Sequence, residues 1–373
     1  MTSETTLFAD DPHMFFPGPV DVPDDAMAAQ LRPLFGHRSG RMDELFGAVQ
    51  QRLRKVFCTD SRVYLLACSG SGLQEAAIRN CVRMPHTGAK VLVLVCGGFS
   101  QRWHDVAAGC GRTVVRHELP WFEAFTPDVV AAAVDQVNAD GNLDAVCLVH
   151  NETSTGVMHN LAGISEAIRS TAPNALFLVD AVSSLAGTEI RCDDWHLDIC
   201  LTSSQKALAV PPGLAVGAVS DRVLERAAEV EGRGWYFDFL NLEAYLARGT
   251  TPATPAIPLV QSLLIQLDRI LEEGLEARWE RHRHLRDLTR RWAVDRGFSL
   301  CVPDEHASVT VTTLAGPRGW DLTAMNQRLA AAGMAVGSGY GKEKGKSFRI
   351  GHLGELRADD LQRLFAVIQS GTA

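Results

Sequence analysis

Lysine is the scarcest charged residue in this chain. Of the 36 Lys and Arg in 373 residues, thirty are Arg and six are Lys: Lys55, Lys90, Lys206, Lys342, Lys344 and Lys346. Net positive charge is lacking too. A formal charge of -8 argues against nucleic acid or an anionic membrane as the main partner. No apolar run approaches the roughly 18 residues of a membrane span. The opening stretch MTSETTLFADDPH has neither a basic start nor an apolar core, so a signal peptide is not expected. The nine cysteines include no Cys-x-x-Cys pair. Several lie in apolar runs (LLAC, LVLVC, AVCLV) and read as small core residues in a reducing cytoplasm. Metal-site spacing is missing: His282 and His284, in RWERHRHLRD, would face different sides of a helix, and that run reads as a solvated helix face. There is no low-complexity tract and no internal repeat. What is present is 46% hydrophobic residues, enough for a sizeable core in one large domain or two moderate ones.

Short apolar runs alternate with helical patterns over the first two thirds. Candidate strands are 91–95, 145–149, 175–180, 198–203 and 214–220. Candidate helices are 72–83, 99–110, 127–138, 161–170 and 221–230. That rhythm predicts an α/β fold with a mainly parallel sheet covered by helices on both faces. The stretch RGTTPATPAIP breaks it. Two helices follow, then SVTVTTL, a helix near 321–332, the loop GSGYGKEKGK, FRIGHLG and a last helix, which read as a smaller α+β domain. The prolines of FFPGPVDVP keep the N-terminal segment extended.

Lys206 stands out against its neighbours. LTSSQKALAVPPG surrounds it with small, hydroxylic and apolar residues. It is either an incidental surface lysine or, if buried, an amine able to lose its proton and act as a nucleophile, which Arg cannot do. ACSGSGLQEAAIRN is a Gly/Ser turn entering a helix. It reads as a capped helix start or as a phosphate cradle, with Ser69 and Ser71 adding hydroxyls. Gly70 and Gly72 fit the dinucleotide fingerprint, but Glu75 stands where its third Gly belongs. ALFLVDAVSS ends an apolar strand on Asp180, where open parallel sheets bind ligands. A cradle, a strand-end Asp and an apolar-embedded Lys together fit pyridoxal phosphate, with Lys206 forming the Schiff base and Asp180 pairing with the ring nitrogen. Phe99, in VCGGFSQRW, is placed to stack on a flat cofactor or to fill the core. VHNETSTG is unusually polar for a crevice position. Arg349 lies within the apolar run FRIGH and needs an anionic partner, either a structural carboxylate or that of a substrate.

The pieces FFPGPVDVP, GHRS, SGSG, GGFSQRW, HNETSTG, VDAVSSLAG, SSQKAL, PPGL, TPATPAIPL and GKSFRIGHLG, in this order and across nearly the whole chain, resemble the class V aminotransferases of the alanine/serine–glyoxylate and serine–pyruvate type. The resemblance implies fold type I: a large domain with a mainly parallel seven-stranded sheet between helices, plus a smaller α+β C-terminal domain. It implies an extended segment over 1–20 that packs on the small domain and active site, a cofactor domain over 21–258 and a small domain over 259–373. It implies that Lys206 carries pyridoxal 5'-phosphate, Asp180 holds the ring nitrogen and Phe99 stacks on the ring. Ser71, Gly72 and Gln205 then bind the phosphate, Leu73, Ser183, Thr153 and Thr251 belong to the cofactor site, and Thr254 reaches it from the second subunit of a homodimer. Arg349 takes the substrate carboxylate, with Gly18 and Thr153 beside it. No second cation stands out in the motifs, which implies small substrates: alanine or serine as donor, glyoxylate or pyruvate as acceptor. Two departures bear on the substrate rather than the cofactor: GRMDELF after GHRS, and Leu73 where the family often has Thr or His. Alternatives on the same fold are a C–S lyase or cysteine desulfurase, whose relatives usually carry His where Gln205 and Phe99 stand here. Others are a phosphoserine-type enzyme and a biosynthetic aminotransferase on another amino acid or amine. Outside the class stands a nucleotide-binding Rossmann-type protein, which leaves Lys206 unexplained.

Overall fold

The computed structural model describes residues 12–370, so residues 1–11 of the expected N-terminal segment lie outside it. In chain order, strand β1 (His13–Phe15) precedes helices α1 (Asp24–Ala28) and α2 (Gly40–Phe57), strand β2 (Arg62–Leu66) and helix α3 (Gly70–Cys81). Then come β3 (Lys90–Val95), α4 (Gly98–Gly109), β4 (Val114–Glu118), α5 (Pro127–Val137) and β5 (Leu143–Val149). A short hairpin, β6 (Asn151–Glu152) and β7 (Val157–Met158), leads into α6 (Leu161–Thr171), β8 (Leu176–Asp180), β9 (Ile199–Ser203), β10 (Ala215–Val219), α7 (Asp221–Glu229) and α8 (Phe239–Leu246). The chain ends with α9 (Ile257–Glu273), α10 (Leu275–Asp295), β11 (Ser299–Leu300), β12 (Val311–Ala315), α11 (Leu322–Ala331), β13 (Met334–Ser338), β14 (Ser347–Gly351) and α12 (Ala358–Gln369).

Seven strands form one sheet in the order β2-β10-β9-β8-β5-β3-β4. The pairs β4–β3, β3–β5, β5–β8 and β8–β9 are parallel, and β10 runs antiparallel to both its neighbours. Every residue of β5, β8 and β9 is buried, because helices cover both faces; the stretches AVCLV and LFLV are therefore continuously apolar rather than alternating. One apolar cluster, containing Leu92, Phe177 and Leu263, fills one side of the sheet. Another, containing Trp103, Leu178 and Phe239, fills the other. Strand order reverses between β3 and β5, and the crevice at such a reversal is where open α/β sheets bind ligands.

The second sheet, β1-β13-β14-β12-β11, packs against α10, α11 and α12 around Leu314, Met325, Phe348 and Phe365. β1 pairs parallel with β13, so the segment after it, Phe16 to Pro23, starts at the small sheet. That segment reaches the large one: Val20 N donates to Gln205 O at 3.3 Å.

Two expectations need correction. Strands β2 and β4 are absent from the sequence-based list. β2 opens on Arg62 and β4 reads VVRHE, an edge strand with charges exposed. The run RWERHRHLRD is not a solvated face throughout. Arg278 and His282 are wholly buried and Trp279 nearly so, while His284 is exposed. The Arg278 charge is met by Glu273 at 2.8 Å, by Glu355 at 2.9 Å and by the carbonyls of Ala186 and Ala207. These partners come from elsewhere in the fold, which is why local composition misreads the helix.

Candidate functional site

A cavity of about 280 Å³ opens at the carboxyl ends of the central strands, lined among others by Ser71, Phe99, Thr153, Asp180, Ser183 and Lys206. Each strand delivers its residue by ending. β8 ends on Asp180, and β9 ends on Ser203, just before Gln205 and Lys206. The turn after β9 is fixed by Ser204 N donating to Leu214 O at 2.9 Å, by Ser204 Oγ donating to Pro211 O at 2.7 Å and by Ala209 N donating to Lys206 O at 2.8 Å.

Lys206 is tucked under the N-terminal segment. Its Nζ donates to Pro17 O, and a Cβ on Gly18 would lie 2.5 Å from that nitrogen. Gly18 has φ +103°, so both space and backbone require glycine there. Burial, then the charges of Arg349 and Arg102, lower the lysine pKa to about 8 against the opposing pull of Asp180. Burial of the Asp180 carboxyl, in turn, raises it to about 6. Asp180 Oδ1 accepts from Val182 N at 2.8 Å, and Oδ2 accepts from Gln74 Nε2 at 2.6 Å.

The polar run after β5 is buried throughout from His150 to Thr155. Ser183 is its hub: its Oγ accepts from Asn151 Nδ2 at 2.9 Å and from Thr153 Oγ1 at 2.8 Å. Glu152, wholly buried, caps α4. Its carboxylate accepts from Phe99 N at 3.1 Å, Ser100 N at 2.9 Å, Ser100 Oγ at 2.8 Å and Ser154 Oγ at 2.6 Å. A carboxylate there meets the unpaired N–H groups and the positive end of the helix dipole, and it fixes Phe99 at the cavity wall. Arg349, on β14, comes from the second sheet. Its Nε donates to Ser338 O at 3.0 Å and its NH1 to Thr153 O at 2.9 Å. No carboxylate among the described residues lies within ion-pair distance of this guanidinium.

The structure therefore gathers Ser71, Phe99, Thr153, Asp180, Ser183, Gln205, Lys206 and Gly18 at one cavity, with Arg349 bonded to Thr153. Four expected residues do not line it: Gly72, which lies against Cys68 and Phe237, Leu73, Thr251 and Thr254, the last expected from the second subunit. Leu73 sends its side chain into the core with Tyr64 and Leu66, because one helical step turns it away, and Gln74, the next residue, is the one that reaches Asp180. Thr251 and Thr254 line a different groove, with Leu65, Ala67 and Tyr236. Sequence reasoning also missed Arg102, whose exposed side chain lines the cavity rim and sits 5.1 Å from the Phe99 ring centroid. It is a second cation, hidden in the sequence because GGFSQRW draws the eye to its aromatic. Asn151 and Gln74 were missed as individual residues, because each has polar neighbours in sequence and nothing local singles it out.

A family model described as "Aminotransferase class-V" matches residues 26–343. A serine–glyoxylate aminotransferase of Methylorubrum extorquens is 34% identical over 92% of this chain and 87% of its own length. An L-aspartate–glyoxylate aminotransferase of Paracoccus denitrificans is 34% identical over 92% of this chain and 86% of its own. Among solved structures, an alanine–glyoxylate aminotransferase from Nostoc sp. superposes with a TM-score of 0.91 at 30% identity, covering 97% of this chain and 96% of that one.

Proposed function

The chain belongs to the class V aminotransferases, and from that premise we propose that it moves an amino group between alanine or serine and glyoxylate or pyruvate. It is a pyridoxal-phosphate-dependent transaminase; the identity of the two substrates is the proposal. The observation that carries it is Arg349: a half-buried guanidinium, held by two carbonyls, with no carboxylate of the described residues within ion-pair distance. A planar fork of this kind matches a carboxylate with two parallel hydrogen bonds.

The residues present fit the cofactor. Ser69 leaves the N-terminus of α3 without a side-chain cap, which suits a phosphate. Ser203 Oγ is buried without a partner beside the same cavity. Asp180 offers an anion where the ring nitrogen needs one, and Lys206 offers the amine that holds the group. When bound, pyridoxal phosphate supplies an electron sink for the pair of electrons left at Cα.

The chain's own residues do the rest. Asp180 would keep a proton on the ring nitrogen, and Phe99, on the cavity wall, would pack against the ring. Arg349 fixes the substrate carboxylate and so turns the Cα–H bond toward Lys206. Lys206, whose pKa burial lowers to about 8 in the cofactor-free chain, would hold the group and, once freed from it, would be the base placed to carry the substrate's Cα proton.

The homodimer with shared sites is part of this proposal. It is supported by Thr251 and Thr254 lying outside their own chain's cavity and by the exposed Leu31, Leu34 and Trp235. A cytoplasmic setting is supported by nine cysteines that are all unpaired and by the absence, among the described residues, of any helix able to cross a membrane. The test is a panel of amino donors and keto acceptors with the purified enzyme. Alanine or serine with glyoxylate or pyruvate should give the highest kcat/KM, and amines without a carboxylate should be poor donors. A carboxylate-free amine reacting as well as alanine would reject the Arg349 role.

A further inference from the structure

The loop between β13 and β14 places one side chain against three parts of the site. Tyr340 stacks on Phe99 with ring centroids 5.3 Å apart and planes tilted by 38°. The Arg349 guanidinium carbon lies 5.6 Å from the Tyr340 ring centroid. On its third side the ring covers the backbone at the start of α4, where a Cβ on Gly98 would come within 2.4 Å of Tyr340 Cε1. Nothing larger than glycine fits there unless the ring moves.

The loop is braced. Gly339 N donates to Ser347 O at 2.8 Å, and Glu343 N donates to Tyr340 O at 2.9 Å. Lys342 Nζ rests 4.7 Å from the centroid of the Trp121 ring. Tyr340 is thus held in place by backbone bonds on both sides and by a cation–aromatic contact at the loop tip.

Arg349 needs such a support. Its two hydrogen bonds, from Nε to Ser338 O and from NH1 to Thr153 O, hold the guanidinium at two points on different sides. Two points define a line, and the plane is free to rock about that line. An aromatic ring at this distance attracts the cation through its quadrupole and resists that rocking. We propose that Tyr340 is a positioning residue for Arg349, setting the guanidinium plane that receives the substrate carboxylate and tying it to Phe99 on the cofactor side. The inference rests on the reading of Arg349 as the carboxylate-binding group.

The experiment uses the holoenzyme and four variants: Tyr340→Phe, Tyr340→Ala, Tyr340→Leu and Arg349→Lys. Three quantities are read: cofactor content by absorbance, KM and kcat with alanine and glyoxylate, and the dissociation constant of propionate, a carboxylate with no amine to react, from its competition with alanine. Tyr340→Ala and Tyr340→Leu should keep full cofactor content while KM and the propionate constant rise about tenfold. Tyr340→Phe should stay within about twofold of the parent, because the ring and not the hydroxyl does the work. Leu preserves apolar bulk, so a rise in Tyr340→Leu separates support of the cation from simple filling. If Tyr340→Ala and Tyr340→Leu bind propionate like the parent while Arg349→Lys does not, Tyr340 has no positioning role. A Phe variant as weak as the Ala variant would overturn the proposal as well. If Arg349→Lys itself binds propionate normally, the underlying assignment of the carboxylate site has failed instead.

Discussion

Gln74 Nε2 donates to Asp180 Oδ2 at 2.6 Å, inside the cavity and almost out of reach of solvent. The bond opposes the effect of burial, which lifts Asp180 to about 6. With Val182 N on the other oxygen, it helps keep the carboxylate ionised and able to pair with a protonated ring nitrogen.

Gln74→Leu should therefore raise the Asp180 pKa. A hydrogen bond to a charged group is worth roughly 1.5–3 kcal/mol, which is about one to two on the pH scale. Asp180 would then be largely protonated near neutral pH. The acid limb of pyridoxal phosphate binding to the cofactor-free protein, followed against pH, should move up by that amount, with binding recovering at higher pH. An acid limb at the parent's position would show that Gln74 does not govern this carboxylate.

Lys206 titrates in the opposite sense, and the sign shows in stability. Its folded pKa, about 8, lies below its ordinary 10.5, with burial the first cause. Folding of the cofactor-free protein thus disfavours the charged amine. The associated stability is fully present only above about 10.5 and is lost as pH falls through about 8. In cofactor-free protein, Lys206→Met should be the more stable form at pH 7, by on the order of 1–3 kcal/mol. The gap should narrow steadily between pH 8 and 10. Urea unfolding at three pH values measures it, and a constant gap would contradict the lowered pKa. The same variant should show no transamination and no cofactor fixed by borohydride.

Glu152 couples the polar run after β5 to the helix that presents Phe99. Truncation to Ala would strand the N–H groups of Phe99, Ser100 and Ser154, all bonded to it now. Each unsatisfied buried donor costs about 1–3 kcal/mol. Glu152→Ala should lose at least about 2 kcal/mol of stability in chemical denaturation. Glu152→Gln, which keeps one acceptor oxygen, should lose less. Equal stability of the Ala variant and the parent would mean that water replaces the carboxylate at the helix end.

Legibility followed the range of the interactions. The parallel core was readable because β5 and β8 are buried on both faces and so are apolar but for an Asp at one end of each. Lys206 and Asp180 were readable because each breaks such a run at a strand end. Edge strand β4 was not, since its charges mimic a loop. Arg278 was misread as solvated because its carboxylate partners, Glu273 and Glu355, lie on other elements. Gln74 and Tyr340 were invisible for the same reason: the partner of Gln74 is Asp180, 106 residues away, and that of Tyr340 is Phe99, on α4 of the other domain's helical layer. Leu73 turns its side chain into the core, which leaves only its backbone, in the first turn of α3, to serve the place the family's pattern gives it.

Thr251 and Thr254 bear on assembly. They share a groove with Leu65, Leu66 and Ala67, residues that end β2 and run directly into the Ser69–Ser71 turn. A second copy seated on this edge would bring its own Thr254 toward that turn, and the first copy would return the contact, as two-fold symmetry requires. Two separately inactive variants test this. Lys206→Ala destroys its own site but still offers an intact Thr254 to its neighbour. Thr254→Glu keeps Lys206 but presents a negative charge to the neighbour's phosphate. Refolded or co-expressed together, half of the subunit pairs should be mixed, and each mixed pair should hold one intact site. The mixture should recover about one quarter of parental activity. If the mixed sample stays as inactive as its components, or if an active monomer persists on dilution, the shared-site dimer is wrong.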